Sequence, residues 1–189
     1  AALTLYNQFQ FTVTSAPSNQ PTLKIEVDGL EAERVQCTEK NLVYQAFCYF
    51  FDQLHQLVPS IHLKIGLGVP LARGLGSSAT AIIGGLVGAN ALAGSPLSQG
   101  ELLKFAIALE GHPDNVAPAL LGGCQLSTLN ETSQEWTVCP IQWAPAIVPI
   151  VAIPDFELST QAARDVLPQK CSYADAIFNI AHLGLLIKG

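Results

Sequence analysis

The sequence predicts an α+β chain in two lobes, from the following observations. Apolar and polar residues alternate at 3–14, 23–29 and 61–67, the period of half-buried strands. A glycine-rich loop, Gly74-Leu75-Gly76-Ser77-Ser78, joins the last of these to a helix of small residues. A shift of composition near residue 140 marks a lobe boundary, giving expected lobes of 1–140 and 141–189.

Residues 3–14 form the first expected strand. Leu23, Ile25 and Val27 form the second, which ends at Asp28-Gly29. The turn residues Ala16-Pro17-Ser18-Asn19-Gln20-Pro21 lie between them, so the two read as a hairpin. Residues 41–57 follow as a helix whose Leu42, Tyr44, Ala46, Phe47, Phe50, Phe51 and Leu54 share one side and pack on a sheet. His55 reads as a solvent-facing residue of that helix. Ile61, Leu63, Ile65 and Leu67 define the next strand, and Pro70 ends it for want of an N–H.

The helix expected over 78–93 contains Gly84, Gly85 and Gly88, each unfavourable there by about 1 kcal/mol relative to alanine. Their expected use is close approach to the sheet or to another helix. Ser98 and Glu101 form a capping box for a helix over 99–110. Pro113 suits the first turn of a short helix reaching Leu121, and Gly122-Gly123 end it. Residues 124–129 and 134–142 read as paired strands, 146–153 as a buried strand, and Ser159–Val166 and Tyr173–Ile187 as helices.

A strand, a glycine loop and a helix N-terminus together make an anion site. Glycines let the backbone approach, unpaired N–H groups point outward, and the helix dipole favours negative charge. A Walker loop fails because no lysine follows Gly76. The dinucleotide fingerprint matches as Gly74, Gly76 and Ala79, but the helix would have to lead into a strand with an acidic end roughly 20 residues on, and another helix follows instead. A glycine turn capped by Ser77 is the plainest alternative. A Ser78–His112–Asp114 hydrolase triad is a further one, without the G-x-S-x-G elbow.

Composition narrows the function classes. The chain has 189 residues, 49% hydrophobic and 13% charged, with net charge −6 and no basic block, so nucleic acid is not an expected partner. Five cysteines at 37, 48, 124, 139 and 171 are odd in number and lack zinc spacing, which fits a reducing, cytoplasmic setting. No apolar run approaches the ~20 residues of a membrane span, so no membrane partner is expected. No signal peptide is expected either.

Pro70-Leu-Ala-Arg-Gly74-Leu75-Gly76-Ser77-Ser78-Ala79 resembles the P-x-x-x-G-L-G-S-S-A signature of the GHMP small-molecule kinases. Glu110-Gly-His112-Pro-Asp-Asn115-Val-Ala-Pro-Ala-Leu-Leu-Gly-Gly resembles the homoserine kinase branch, as does Ser159-Thr160-Gln-Ala-Ala-Arg164-Asp-Val-Leu-Pro168. The resemblance runs over the whole chain. It implies a ribosomal protein S5 domain 2-like N-terminal lobe and part of a ferredoxin-like C-terminal lobe. The implied reaction is ATP-dependent phosphorylation of the L-homoserine hydroxyl, a step toward threonine; the alternative is a non-catalytic binding or structural module of the same fold.

By resemblance, Pro70, Gly74, Leu75, Gly76, Ser77, Ser78 and Ala79 bind ATP, and Ser78 with Glu110 holds Mg²⁺. Asn115 is implied in catalysis by orientation, and His112, Asn115, Thr160 and Arg164 in binding homoserine. Asp114 reads as a helix cap. Arg73, inside the loop, could touch phosphate, but its position varies freely in the signature and it is left out of the expected site. The family's opening and closing motifs are not within these residues, so a fragment is expected, and the resemblance leaves room for a homodimer of the full-length enzyme.

Overall fold

A computed structural model of the protein describes residues 1–15, 22–144, 146–153, 165–168 and 170–188. Its centre follows from one strand. In β3 (Ile61–Leu67) the four alternating apolar side chains are all buried, so their face and both edges of this segment need cover. β1 (Gln8–Val13) supplies one edge, antiparallel, with Val13 opposite Ile61. β2 (Leu23–Gly29) supplies the other, parallel, with Leu23 opposite Ile61. The sheet order is therefore β1-β3-β2, and the expected β1–β2 hairpin does not form. Inserting β3 satisfies its hydrogen bonds on both sides and sets its apolar face in the middle of the sheet, which a hairpin would leave at an edge.

A parallel pair needs a crossover, and α1 (Leu42–Gln53) provides it between β2 and β3. Asn41 starts the helix: its buried Oδ1 accepts from the Val43 N–H at 3.0 Å, and its Nδ2 donates to the Gln36 carbonyl at 2.8 Å. The helix stops four residues earlier than the periodicity predicts. The His55 N–H donates to the Asp52 carbonyl and the Gln56 N–H to Phe51, the pair of bonds that closes a helix over a left-handed residue. His55, at φ 53°, is that residue; it is exposed, but it lies past the helix.

α2 (Ser77–Leu92) packs against α1 and β1, and its glycines lie at the contacts. A Cβ on Gly84 would meet the Phe9 ring, and one on Gly88 the Phe11 ring. At Gly85 it would strike the Val43 carbonyl and come within 2.8 Å of the Ala46 Cβ and 3.1 Å of the Phe47 nitrogen. These are backbone and near-backbone atoms of α1 that have no rotamer to give. Gly85→Ala gains about 1 kcal/mol in helix propensity. Overpacking costs roughly 1–3 kcal/mol and is at its worst against fixed backbone. We expect a net loss of about 1–2 kcal/mol, read as a lower urea midpoint; a stabilised variant would mean that the two helices are not in contact there.

α3 (Gln99–Glu110) begins with the expected capping box between Ser98 and Glu101 and ends at Gly111, φ 85°. α4 (Pro113–Leu121) follows at once with proline at its first position, and Gly122 ends it. α3 and α4 contact each other, and both contact α2. β4 (Cys124–Asn130) and β5 (Glu135–Ile141) pair antiparallel around a turn in which the Asn130 side chain accepts from the Thr132 and Ser133 N–H groups.

The expected buried strand over 146–153 is not one. Its described residues are exposed and unpaired in any sheet. Pro149 can give no ladder hydrogen bond, and apolar content alone does not make a strand without a partner edge. α5 (Tyr173–Lys188) matches the last expected helix. Most of the helix expected at 159–166 falls outside the described residues.

Candidate functional site

The loop between β3 and α2 is held from both ends by one side chain. Asn7, just ahead of β1, accepts from the Gly68 and Val69 N–H groups at 2.9 Å each. Its Nδ2 donates to Thr80 Oγ1 at 2.8 Å, and that hydroxyl donates to the Ser77 carbonyl. Between these anchors Ala72, Gly74 and Gly76 take left-handed conformations, at φ 52°, 73° and 74°. Glycine adopts this shape without penalty; Ala72 does so against its preference, which is local strain held by the surroundings. Gly76 is the N-cap of α2 and brings no side chain to cover the first turn. The leading N–H groups of a 16-residue helix thus face the loop with no side-chain cap.

Behind the loop lies a cavity of about 410 Å³, bounded by Leu71, Arg73, Gly74, Ser77, Ser78 and the start of α1 among others. This is within the range of small-molecule pockets. A wider cavity of about 1000 Å³ adjoins it, and Asn7, Phe9, Gly74, Gly76 and Asn115 border both. Asn115 lies against Gly76, where an added Cβ would sit 3.8 Å from the Asn115 Cβ.

The residues expected in the site divide as follows. Gly74 and Gly76 border both cavities, Ser77 and Ser78 the smaller one, and Leu75 the larger. Pro70 and Ala79 border neither, and Ala79 is buried in the core beneath α2. Ser78 Oγ donates to Glu110 Oε1 at 3.2 Å, which joins the first turn of α2 to the end of α3. His112 precedes α4 as its N-cap; its Nδ1 is buried without a hydrogen-bond partner, and it borders neither cavity. Thr160 and Arg164 lie outside the described residues.

Asp114 is not the cap expected of it. It stands inside the first turn of α4, where its charge suits the dipole, and its Oδ1 accepts from Ser127 Oγ at 3.5 Å. The triad alternative fails too, since Ser78 is bonded to Glu110 and no hydrogen bond joins it to His112. The dinucleotide alternative also fails, because α2 leads into α3 and not into a strand.

Sequence reasoning missed a second layer. Glu31, at φ 55° just past β2, accepts from the Leu71 N–H at 2.8 Å and from Arg34 Nη1 at 2.7 Å. The Leu71 N–H first, and then the Arg34 guanidinium, hold its carboxyl below the usual carboxylate range. Arg73 Nη2 is 3.9 Å from the same carboxylate. Asn7 carried no signal that periodicity could find. Arg73 did, as a cation inside a glycine loop of an acidic chain.

Among the described residues no group of three or more His, Cys, Asp or Glu side chains could hold a metal, and no helix is long and apolar enough to cross a membrane.

Residues 41–123 match the family described as GHMP kinases N terminal domain. The chain is 61% identical over 188 residues to a homoserine kinase of Crocosphaera subtropica, covering 100% of this chain and 60% of that protein. It is 58% identical over 189 residues to a homoserine kinase of Nostoc punctiforme, with the same two coverages. The chain thus spans about 60% of the length of these curated relatives. The crystal structure of homoserine kinase from Cytophaga hutchinsonii superposes with a TM-score of 0.73 at 25% identity, covering 97% of this chain and 58% of that one. The α+β fold is that of the GHMP kinases.

Proposed function

We propose that the chain, whose residues 41–123 match the family described as GHMP kinases N terminal domain, carries the ATP-binding half of a homoserine kinase site. The reaction is transfer of the γ-phosphoryl group of ATP to the side-chain hydroxyl of L-homoserine, giving O-phospho-L-homoserine and ADP. Its bond to the β-phosphate oxygen breaks, a bond to the homoserine oxygen forms, and the hydroxyl proton leaves to a phosphoryl oxygen or solvent. The observation that carries the reading is the 3.2 Å bond between Ser78 and Glu110, made across 32 residues behind an uncapped helix N-terminus. We assign residues 1–140 to the nucleotide lobe and 141–189 to the start of the second.

Phosphoryl transfer needs positioning and charge neutralisation more than covalent help. The turns at Gly74 and Gly76 leave room for the triphosphate, and the N–H groups of the first turn of α2 donate to it. A hydroxyl and a carboxylate are hard oxygen donors suited to Mg²⁺, and two protein ligands suffice where phosphates and water fill the remaining positions. Bound there, Mg²⁺ would neutralise charge on the phosphate oxygens. Ser78 and Glu110 would hold it.

Asn115, between the two cavities, orients the acceptor hydroxyl. Its amide takes no proton near neutral pH, so it acts by hydrogen bonding and not as a base. Thr160 and Arg164, with His112, would bind the amino acid, the Arg164 fork suiting its carboxylate.

The test is a coupled assay of ADP release with phosphorus NMR of the product. ADP release that requires both ATP and L-homoserine, with a new phosphomonoester signal, is expected. ATP binding with no phosphoryl transfer would replace the kinase with a non-catalytic module. Ser78→Ala should lower kcat roughly tenfold, about 1.4 kcal/mol, since water can replace a hydroxyl ligand. An unchanged kcat at limiting Mg²⁺ would remove Ser78 from the metal.

A further inference from the structure

We propose that Arg73, steered by Glu31, donates to a phosphate oxygen of the bound nucleotide and sets the affinity for it. The inference rests on the nucleotide reading above and goes beyond it by assigning two residues that the family signature leaves unspecified.

The geometry has four parts. The Arg73 side chain is only 17% exposed, although it stands in a surface loop. It borders the smaller cavity together with Ser77 and Ser78, the first residues of α2. Its Nη1 is buried and has no hydrogen-bond partner, whereas Nη2 faces Glu31 at 3.9 Å. A guanidinium carries donors only, and a buried charged donor without an acceptor is costly unless a ligand supplies one. Finally, the Arg73 guanidinium is always charged and shares its cavity wall with the first turn of α2, whose dipole also favours an anion. In a chain of net charge −6, that local positive charge suits an anion and does not suit an uncharged base or sugar.

Glu31 supplies the steering. Its carboxylate binds the Leu71 N–H at one end of the loop segment and attracts Arg73 at the other. The left-handed Ala72 between them reverses the chain. A flexible cation is thereby held at the cavity wall before the nucleotide arrives, which lowers the ordering cost of binding. Glu31 is thus a positioning residue, and Arg73 is the one that touches ligand.

The experiment measures binding of ADP and of adenosine by calorimetry to wild type, R73A, R73K, E31Q and the E31Q/R73A double variant, with unfolding temperatures for all five. R73A should bind ADP about 10- to 100-fold more weakly, the loss of one charge-assisted hydrogen bond, and adenosine within about twofold of wild type. R73K should recover part of the loss, because an ammonium keeps the charge but not the planar fork. E31Q retains an oxygen for the Leu71 N–H and loses only the charge, so it should weaken ADP several-fold, and that loss should vanish in the R73A background.

R73A binding ADP as tightly as wild type would overturn the proposal. So would equal losses for ADP and adenosine, which would make Arg73 a support of cavity shape. Should R73A fail to fold, R73Q takes its place under the same two criteria. Wild-type protein that binds adenosine and ADP equally overturns the inference alone; wild-type protein that binds neither overturns the nucleotide reading as well.

Discussion

Glu110→Gln is expected to lower turnover about 100- to 1,000-fold, roughly 3–4 kcal/mol in the barrier, while the protein folds as before. The substitution keeps the size of the side chain and a carbonyl oxygen for the Ser78 hydroxyl, now 3.2 Å away, so the link between α2 and α3 survives. What it removes is charge. In our reading Ser78 is neutral, and Glu110 is the one anionic protein ligand of the cation; without it the ion depends on phosphates alone. The apparent Mg²⁺ requirement should therefore rise along with the fall in turnover.

Stability separates this account from a structural one. Glu110 is the last residue of α3, where a negative charge opposes the helix dipole, and it leans on the first turn of α2, where it is favoured. The two effects are of similar size and opposite sign, so Gln should shift folding stability by less than about 0.5 kcal/mol. A structural residue would give the reverse pattern, a lower midpoint with normal turnover in the folded fraction. Turnover that is unchanged at limiting Mg²⁺ would remove Glu110 from the metal.

The parts of this fold that were legible in the sequence are those whose cause is local. Ser98 and Glu101 announce α3, and Pro113 with Gly122 bracket α4; each acts within a few residues of itself. The helix glycines were legible as contacts, though not which partner each would meet. Strand order was not legible, because β1 and β3 pair across about fifty residues and alternation is the same whichever edge is used. The segment 146–153 misled for the converse reason: a strand is completed by its neighbour, and composition does not reveal one.

The site divides the same way. Gly74, Gly76, Ser77 and Ser78, which border the cavities, were legible because a glycine loop ahead of a helix is a local pattern. Asn7 and Glu31 were not, since they reach the loop from distant positions; Arg73 was visible as a cation in the loop and was set aside because its place in the pattern varies. A motif names what all members share. Residues that reach a loop from elsewhere in the chain are visible only once the fold brings them together.

Phe47→Ala should cost the fold about 3–5 kcal/mol, the largest stability loss expected from any single residue considered. Phe47 is fully buried at the junction of α1 and the sheet. Its ring stacks on Phe11 of β1 at 5.4 Å and on Tyr44 at 6.2 Å, and it meets Phe51 at 5.1 Å in a tilted pair. Truncation removes the transfer energy of the ring and leaves a cavity that its neighbours cannot close. Phe11 is also held by Gly88, and the Phe47 backbone lies against Gly85, so collapse would have to move α1 and α2 together. Each lost aromatic pair adds roughly 0.5–1.5 kcal/mol beyond area alone. Against a typical total stability of about 5–15 kcal/mol, this is enough to leave a measurable unfolded fraction near body temperature. Urea titration should give a much lower midpoint with an unchanged slope, and Phe47→Leu should recover more than half of the loss by refilling most of the space. Nucleotide affinity of the folded fraction should stay near wild type, because Phe47 borders neither cavity. A midpoint shift equivalent to less than about 1 kcal/mol would mean that α1 does not seat on the sheet through this ring, and the arrangement of α1, α2 and β1 behind the loop would have to be redrawn.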